Sequence, residues 1–272
     1  MLKAGLSMFD RFNRHIHYLR ISVTDRCNLA CTYCMPEGHV AKLPREDILS
    51  FEQIAELTRT AVELGFDKVR LTGGEPLMRK GIVDLVRMLA AAGGINDFAM
   101  TTNGILLAQH AKPLREAGLH RLNISCDTLD PQRFSAISRG GRLEDLLSGI
   151  DAAQAAGFVK IKLNCVIEQS PEEPDAVMVS RFGAQRGFEV RYIRRMDTAK
   201  GSFWRVLGGD GGHCQICNRL RVSSDGRIFP CLFSDLHTKV SELGPRQAIL
   251  AALAIKPESG RQSDNQFYRL GG

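Results

Sequence analysis

Five stretches of the chain alternate apolar and polar residues with a period of two, and helical spacing follows them. In Leu19-Arg20-Ile21-Ser22-Val23 the polar set is Arg20 and Ser22; in Lys68-Val69-Arg70-Leu71-Thr72 it is Lys68, Arg70 and Thr72. Asn123 and Ser125, then Lys160, Lys162 and Asn164, then Glu189 and Arg191, repeat the pattern. The predicted strands are Tyr18 to Thr24, Asp67 to Thr72, Phe98 to Thr102, Arg121 to Cys126, Val159 to Ile167 and Glu189 to Ile193. The predicted helices run from a Ser50 cap to Leu64, then over Ile82 to Ala92, Leu107 to Ala117, Leu143 to Ala156, and roughly Glu172 to Arg186. Such alternation implies a parallel sheet. Strands of an ordinary parallel sheet are apolar on both faces, and these are not. An apolar face toward the helices and a basic, polar face around a wet lumen fits an α/β fold of the partial (βα)6 TIM-like barrel type. Ligands are then expected at the strand C-termini.

The rhythm breaks after the sixth strand. We therefore expect a barrel over residues 1–196 and a small C-terminal extension over residues 197–272. With 272 residues, 44% hydrophobic, the chain is long enough for a full core. No stretch approaches the ~18 consecutive apolar residues of a membrane span, so the expectation is a soluble, cytoplasmic protein. A net charge of +6 permits an anionic substrate without demanding a nucleic-acid polymer. Eight cysteines do not make a secreted disulfide framework here, because six of them fall into two tight groups.

The first group is Cys27-Asn-Leu-Ala-Cys31-Thr-Tyr33-Cys34, directly after the first strand. Three thiolates on one short loop can hold three corners of a [4Fe–4S] cluster and leave one iron open. Zinc and a disulfide loop are the alternatives. Gly73-Gly74-Glu75-Pro76 ends the second strand, a weak signal alone. The second group is Cys214 and Cys217, with Cys231 returned by a hairpin at Asp225-Gly226. It suits a second [4Fe–4S] cluster, with zinc and His213 as the alternative. Cys126 and Cys165 fall on helix-facing positions and read as small buried hydrophobes.

The CxxxCxxC loop resembles the radical S-adenosylmethionine (SAM) superfamily, where SAM chelates the open iron. That resemblance implies SAM contacts at Tyr33, Gly73, Gly74, Glu75, Thr101, Asn103, Ser125 and Met196. More of the chain resembles the GTP 3′,8-cyclase family of molybdenum cofactor biosynthesis. The residues that carry it are Thr24-Asp25-Arg26-Cys27-Asn28-Leu29, Cys34-Met35-Pro36, Thr72 to Arg79, Cys217 to Gly226, Pro230 to Phe233 and the terminal Leu270-Gly271-Gly272. The resemblance implies cyclisation of GTP to 3′,8-cyclo-7,8-dihydro-GTP by two [4Fe–4S] clusters and SAM. It implies substrate contacts at Arg20, Lys68, Lys162, Arg191, Arg219 and Arg221. Catalytic roles would fall on Arg20, Arg219, Arg221, Gly271 and Gly272. The partners expected are GTP or another anionic small molecule, a low-potential electron donor, a downstream pathway enzyme and a second copy in a homodimer.

The chain departs from that family in three places, one of them a shortened segment between Cys231 and the terminal Gly271-Gly272. The family reads Arg-Phe-Ile-Glu-Phe-Met after the sixth strand, and here it is Arg191-Tyr-Ile-Arg194-Arg195-Met196. A segment the family carries before the second cysteine group is also absent, with only Asp197 to Gly212 bridging the gap. Two other readings follow: a two-cluster radical SAM enzyme acting on another nucleotide or a peptide, and a non-catalytic electron carrier. Retention of the Gly-Gly-Glu-Pro turn argues against the carrier.

Overall fold

The computed structural model describes residues 8–36 and 41–271. The strands are β1 (Tyr18–Ser22), β2 (Lys68–Thr72), β3 (Asp97–Thr102), β4 (Arg121–Ser125), β5 (Ile161–Ile167) and β6 (Glu189–Arg194). Between them lie α1 (Phe51–Glu63), α2 (Ile82–Ala91), α3 (Leu107–Glu116), α4 (Pro131–Ser138), α5 (Leu143–Ala155) and α6 (Pro174–Arg186). Apart from α4, every bound lies within two residues of its sequence expectation. Ser50 starts α1 as expected. Its hydroxyl accepts from the Gln53 amide at 3.2 Å, and the Gln53 side chain accepts from the Ser50 amide at 2.8 Å, a capping box that satisfies two orphan donors.

Three helices had no counterpart in the sequence reading, the last of them the short α8 (Phe267–Leu270). α4 is short, with Phe134 and Ser138 its buried positions, so its apolar period is faint. Its start was visible as Asp130 followed by Pro131, and the Asp130 carboxylate accepts from the Arg133 amide at 2.8 Å. α7 (Val240–Ala254) is broken by Gly244, at φ 70° and ψ 162°, next to Pro245. That kink interrupts the helical period.

The strands form one sheet in the order β6-β5-β4-β3-β2-β1-β7-β8-β9, where β7 is Arg219–Val222, β8 Arg227–Phe229 and β9 Thr238–Lys239. β1 to β6 are parallel to their neighbours, and the sheet stays open between β6 and β9. β7 pairs parallel with β1, aligning Arg20 with Arg221. The C-terminal hairpin thus continues the barrel sheet instead of standing beside it. Register puts Arg20, Arg70 and Arg221 abreast on one face, with Leu19, Val69 and Leu220 abreast on the other. The apolar face joins the main core under the helices, together with Cys126 and Cys165, both fully buried. The edge of β6 is covered by the short strap that follows it: Tyr192 and Leu207 exchange two backbone hydrogen bonds of 3.1 Å. The Arg194 guanidinium stacks 3.8 Å from the centre of the Trp204 ring and fixes that strap. Among the described residues no helix is long and apolar enough to cross a membrane.

Candidate active site

The polar face of the sheet opens into a cavity of about 350 Å³. That size suits a small molecule. Both cysteine groups line it. Cys27 is set by the turn after β1, where the Arg26 amide donates to Thr24 Oγ1 at 3.2 Å. The amides of Cys34 and Met35 both donate to the Cys31 carbonyl at 2.9 Å, which closes the loop tightly. Tyr33 Oη donates to Asp127 Oδ2 at 2.6 Å, and Asp127 Oδ1 accepts from the Val166 amide at 2.8 Å. Burial pushes the Cys31 and Cys34 thiols up to about 12, and the neighbouring thiols of the loop add to the effect.

The glycines of the Gly73-Gly74-Glu75-Pro76 turn are needed for a reason the sequence did not reveal. A Cβ at Gly74 would lie 2.3 Å from the Arg26 carbonyl oxygen, and one at Gly73 would lie 2.7 Å from that of Thr24. The turn is hydrogen-bonded to the cysteine loop's approach, Gly74 N to Thr24 O and Glu75 N to Arg26 O, both 2.8 Å. Glu75 then clamps the next strand end. Its carboxylate accepts from Asn103 N at 2.7 Å, Thr102 Oγ1 at 2.8 Å and Leu77 N at 3.0 Å. Asn103 Nδ2 in turn donates to Asn28 Oδ1 at 2.8 Å and reaches Cys27 Sγ at 3.7 Å.

Burial pushes the Glu75 carboxyl up to about 7 despite those donors. A carboxyl with a raised native pKa binds its proton more tightly in the folded state. Its stabilisation is therefore complete below the unfolded value of about 4.3 and is lost as pH rises to about 7. Glu75→Gln is expected to remove that slope: wild type loses stability across the window relative to the variant. Urea denaturation at about pH 5 and about pH 7.5 checks it, and parallel losses in both proteins contradict it.

The second group is carried by a 3-10 turn (Cys214–Ile216), by Cys217 and by Cys231, two residues beyond β8. Burial alone would raise the Cys217 thiol, but the Lys256 ammonium and Arg219 guanidinium bring it down to about 7. His213 lines the same cavity, but its ring hydrogen-bonds to Gln215 Oε1 at 3.3 Å.

Cations crowd the lumen between the two groups. Arg20, Arg70 and Arg221 are buried, and Lys68, Arg191, Arg195 and Arg219 line the cavity with them. Burial first, then the neighbouring arginines, pushes Arg20 down to about 9; Arg70 reaches about 9 by burial with help from Arg20 and Arg121. Burial would raise the Tyr18 hydroxyl, yet these cations hold it below its usual value. The Tyr18 ring has Lys68 Nζ at 5.0 Å, Arg70 Cζ at 5.4 Å and Arg219 Cζ at 5.7 Å from its centre. Arg70 Nε, Arg219 Nε, Tyr18 Oη and Thr101 Oγ1 are buried with no hydrogen-bond partner among the described residues. Such groups are costly unless a ligand meets them, and the cations specify an anion.

Each expected SAM-contacting residue lines the cavity: Tyr33, Gly73, Gly74, Glu75, Thr101, Asn103, Ser125 and Met196. So do Arg20, Lys68, Arg191, Arg219, Arg221 and Gly271. Lys162 does not. Its register partner on β6 is Glu189, and its ammonium is held there at 2.5 Å. Gly272 lies outside the described residues. Sequence reasoning left out Arg70, although the alternation that selected Arg20 and Lys68 already marked it. It also missed Asp127 and Lys256, which no local pattern announces.

The donor set fits iron–sulfur chemistry. All six cysteines are free thiols facing one cavity. Among the described residues no three His, Cys, Asp or Glu side chains are arranged to hold a single metal ion. Three thiolates on one wall can hold three corners of a [4Fe–4S] cluster and leave one iron open.

The family profile described as Radical SAM superfamily matches residues 21–178. The GTP 3′,8-cyclase of Peptoclostridium acidaminophilum is 37% identical over 321 aligned residues, covering 97% of this chain and 98% of that protein. That of Geobacter sulfurreducens is 38% identical over 321 residues, with 97% and 98% covered. An alignment of 321 residues must open gaps in a chain of 272. Among solved structures, Streptococcus suis SuiB bound to S-adenosylmethionine has a TM-score of 0.62 at 16% identity, covering 91% of this chain and 66% of that one. Native anSMEcpe with bound AdoMet also has a TM-score of 0.62, at 14% identity, covering 89% and 81%. At those identities the likeness bears on the fold alone.

Proposed function

The chain belongs to the GTP 3′,8-cyclase family of the radical SAM superfamily, and on that footing we propose that it cyclises GTP to 3′,8-cyclo-7,8-dihydro-GTP using two [4Fe–4S] clusters and SAM. The observation that carries the reading is one cavity shared by both cysteine triads, the cation cluster and Gly271. Cys27, Cys31 and Cys34 would hold the first cluster; Cys214, Cys217 and Cys231 the second. A [4Fe–4S] cluster there would supply the electron that cleaves bound SAM to methionine and a 5′-deoxyadenosyl radical able to abstract a ribose hydrogen.

The chain's own residues bind, orient and exclude water. Tyr33, Gly73, Gly74, Glu75, Thr101, Asn103, Ser125 and Met196 form the wall for SAM. Arg20, Lys68, Arg191, Arg219 and Arg221 hold the triphosphate and purine, and Arg70 joins them. Burial, with mutual repulsion added to it, pushes Arg20 and Arg70 down to about 9, and a bound anion offsets both. Lys162 can join only by leaving Glu189, which also holds Arg191 Nε at 2.8 Å. In this reading residues 1–196 carry the SAM wall together with Arg20, Lys68, Arg70 and Arg191, and residues 197–272 add the second cysteine triad with Arg219 and Arg221, in a cytoplasmic enzyme fed by a low-potential donor.

A second reading, another nucleotide as substrate, is favoured by Arg195. It lines the cavity next to the departure from the family pattern and is held by Glu168 at 3.3 Å. Anaerobic incubation with SAM, reductant and a nucleotide panel separates the two readings by product mass. Arg219→Ala is expected to weaken nucleotide binding roughly tenfold to hundredfold, the worth of one charge-assisted hydrogen bond at about 1.5–3 kcal/mol. Isothermal titration with GTP reads it. Unchanged affinity would exclude Arg219 from the anion site.

A further inference from the structure

Lys256 follows α7 and is 1% exposed. Its ammonium donates to Pro230 O at 2.5 Å, Arg219 O at 2.9 Å and Cys217 Sγ at 3.5 Å. These partners lie on both arms of the β7–β8 hairpin, beside Cys217 and Cys231. Two carbonyls and a sulfur satisfy the donors, yet the carbonyls bring no net negative charge. A buried ammonium needs such a charge to be tolerated. A second buried cation nearby differs in this respect. Arg14 donates to the carbonyls of Cys214 at 2.8 Å and Pro257 at 2.7 Å, but the Asp10 carboxylate neutralises it at 2.6 Å. Lys256 is left facing the sulfurs.

We propose that Lys256 is a positioning residue for the second cysteine triad, donating an N–H···S bond to Cys217 and raising the reduction potential of the iron–sulfur cluster those sulfurs hold. The inference rests on the second-cluster reading above. Hydrogen bonds to ligand sulfurs and nearby charge are the levers a protein has on such a potential. Reduction adds negative charge to the cluster, and a fixed cation beside a ligand favours that state. The same contact ties the end of α7 to the hairpin, so a residue two positions past the helix sets the site's electrostatics.

The test uses the full chain carrying Cys27→Ala, Cys31→Ala and Cys34→Ala, in which only the second triad can load iron. The midpoint potential is read by a redox titration monitored by electron paramagnetic resonance. Adding Lys256→Met is expected to move it to a more negative value. Adding Lys256→Gln, which keeps an N–H donor without the charge, gives an intermediate value. Should the Met variant fail to fold or load iron, a Gln variant with a lowered potential still upholds the proposal. A Gln potential equal to the parent's overturns it. In the reciprocal background, Cys214→Ala, Cys217→Ala and Cys231→Ala, Lys256→Met is expected to leave the first cluster's potential unchanged, which a general loosening of the fold would not. A triad-one-deleted parent that binds no cluster overturns the second-cluster reading and the inference with it. A loaded parent with the same potential in all three proteins overturns the inference alone.

Discussion

Deleting Gly271 and Gly272 is expected to leave iron content and SAM cleavage intact while cyclised product per 5′-deoxyadenosine falls by roughly tenfold or more. The reason lies at Gly271, which lines the cavity. Arg221 Nη1 donates to the Gly271 carbonyl at 2.6 Å, a charge-assisted bond worth about 1.5–3 kcal/mol, or roughly tenfold to hundredfold. Gly271 has a φ of 66°, and a Cβ there would lie 2.1 Å from Thr72 Oγ1 at the end of β2. Only glycine fits so close an approach. The residues before it form a short helix, α8 (Phe267–Leu270), whose Tyr268 and Leu270 are buried, so the anchor survives the deletion. Without the tail, Arg221 loses its carbonyl partner and water gains access to the substrate half of the cavity. Gly271→Ala is the smaller perturbation and should reproduce the loss through collision with Thr72. An unchanged ratio in the truncated protein would make the tail dispensable.

The cysteine triads predict opposite failures. Replacing Cys27, Cys31 and Cys34 with alanine is expected to remove about half the iron and all SAM cleavage, since three thiolates on this loop account for one [4Fe–4S] site. Replacing Cys214, Cys217 and Cys231 removes the other half and leaves SAM cleavage uncoupled from nucleotide chemistry. The two losses are separable because the triads stand on different supports. The first hangs on the turn after β1 and the Gly73-Gly74 backbone; the second hangs on the β7–β8 hairpin and Lys256. Iron analysis and 5′-deoxyadenosine formation, measured together after anaerobic reconstitution, decide the matter. Zinc at the second triad in anaerobically purified protein, or SAM cleavage that survives loss of the first, contradicts the assignment.

The barrel half was legible because its information is local. Period-two alternation marked Arg20, Lys68 and Ser125 as lumen-facing, and register then placed Arg20 beside Arg70 as that alternation requires. Ser50 marked the start of α1, and the structure adds Gln53 as the other half of its capping box. What stayed hidden depends on neighbours far along the chain. Lys162 carries the right charge on the right face, but Glu189 comes from another strand and holds it. The parallel pairing of β7 with β1 joins residues some two hundred positions apart, which no turn signal reports. Lys256 reads as an ordinary surface lysine until α7 folds it against the hairpin. The resemblance assigns the glycines of the Gly-Gly-Glu-Pro turn to SAM contacts. The structure shows them also making room for the Thr24–Arg26 backbone.

The most direct test of the central claim is mass analysis of nucleotide products from the reconstituted, full-length protein given SAM, reductant and GTP under anaerobic conditions. The account predicts 3′,8-cyclo-7,8-dihydro-GTP forming together with 5′-deoxyadenosine. Formation of 5′-deoxyadenosine with GTP recovered unchanged would contradict it.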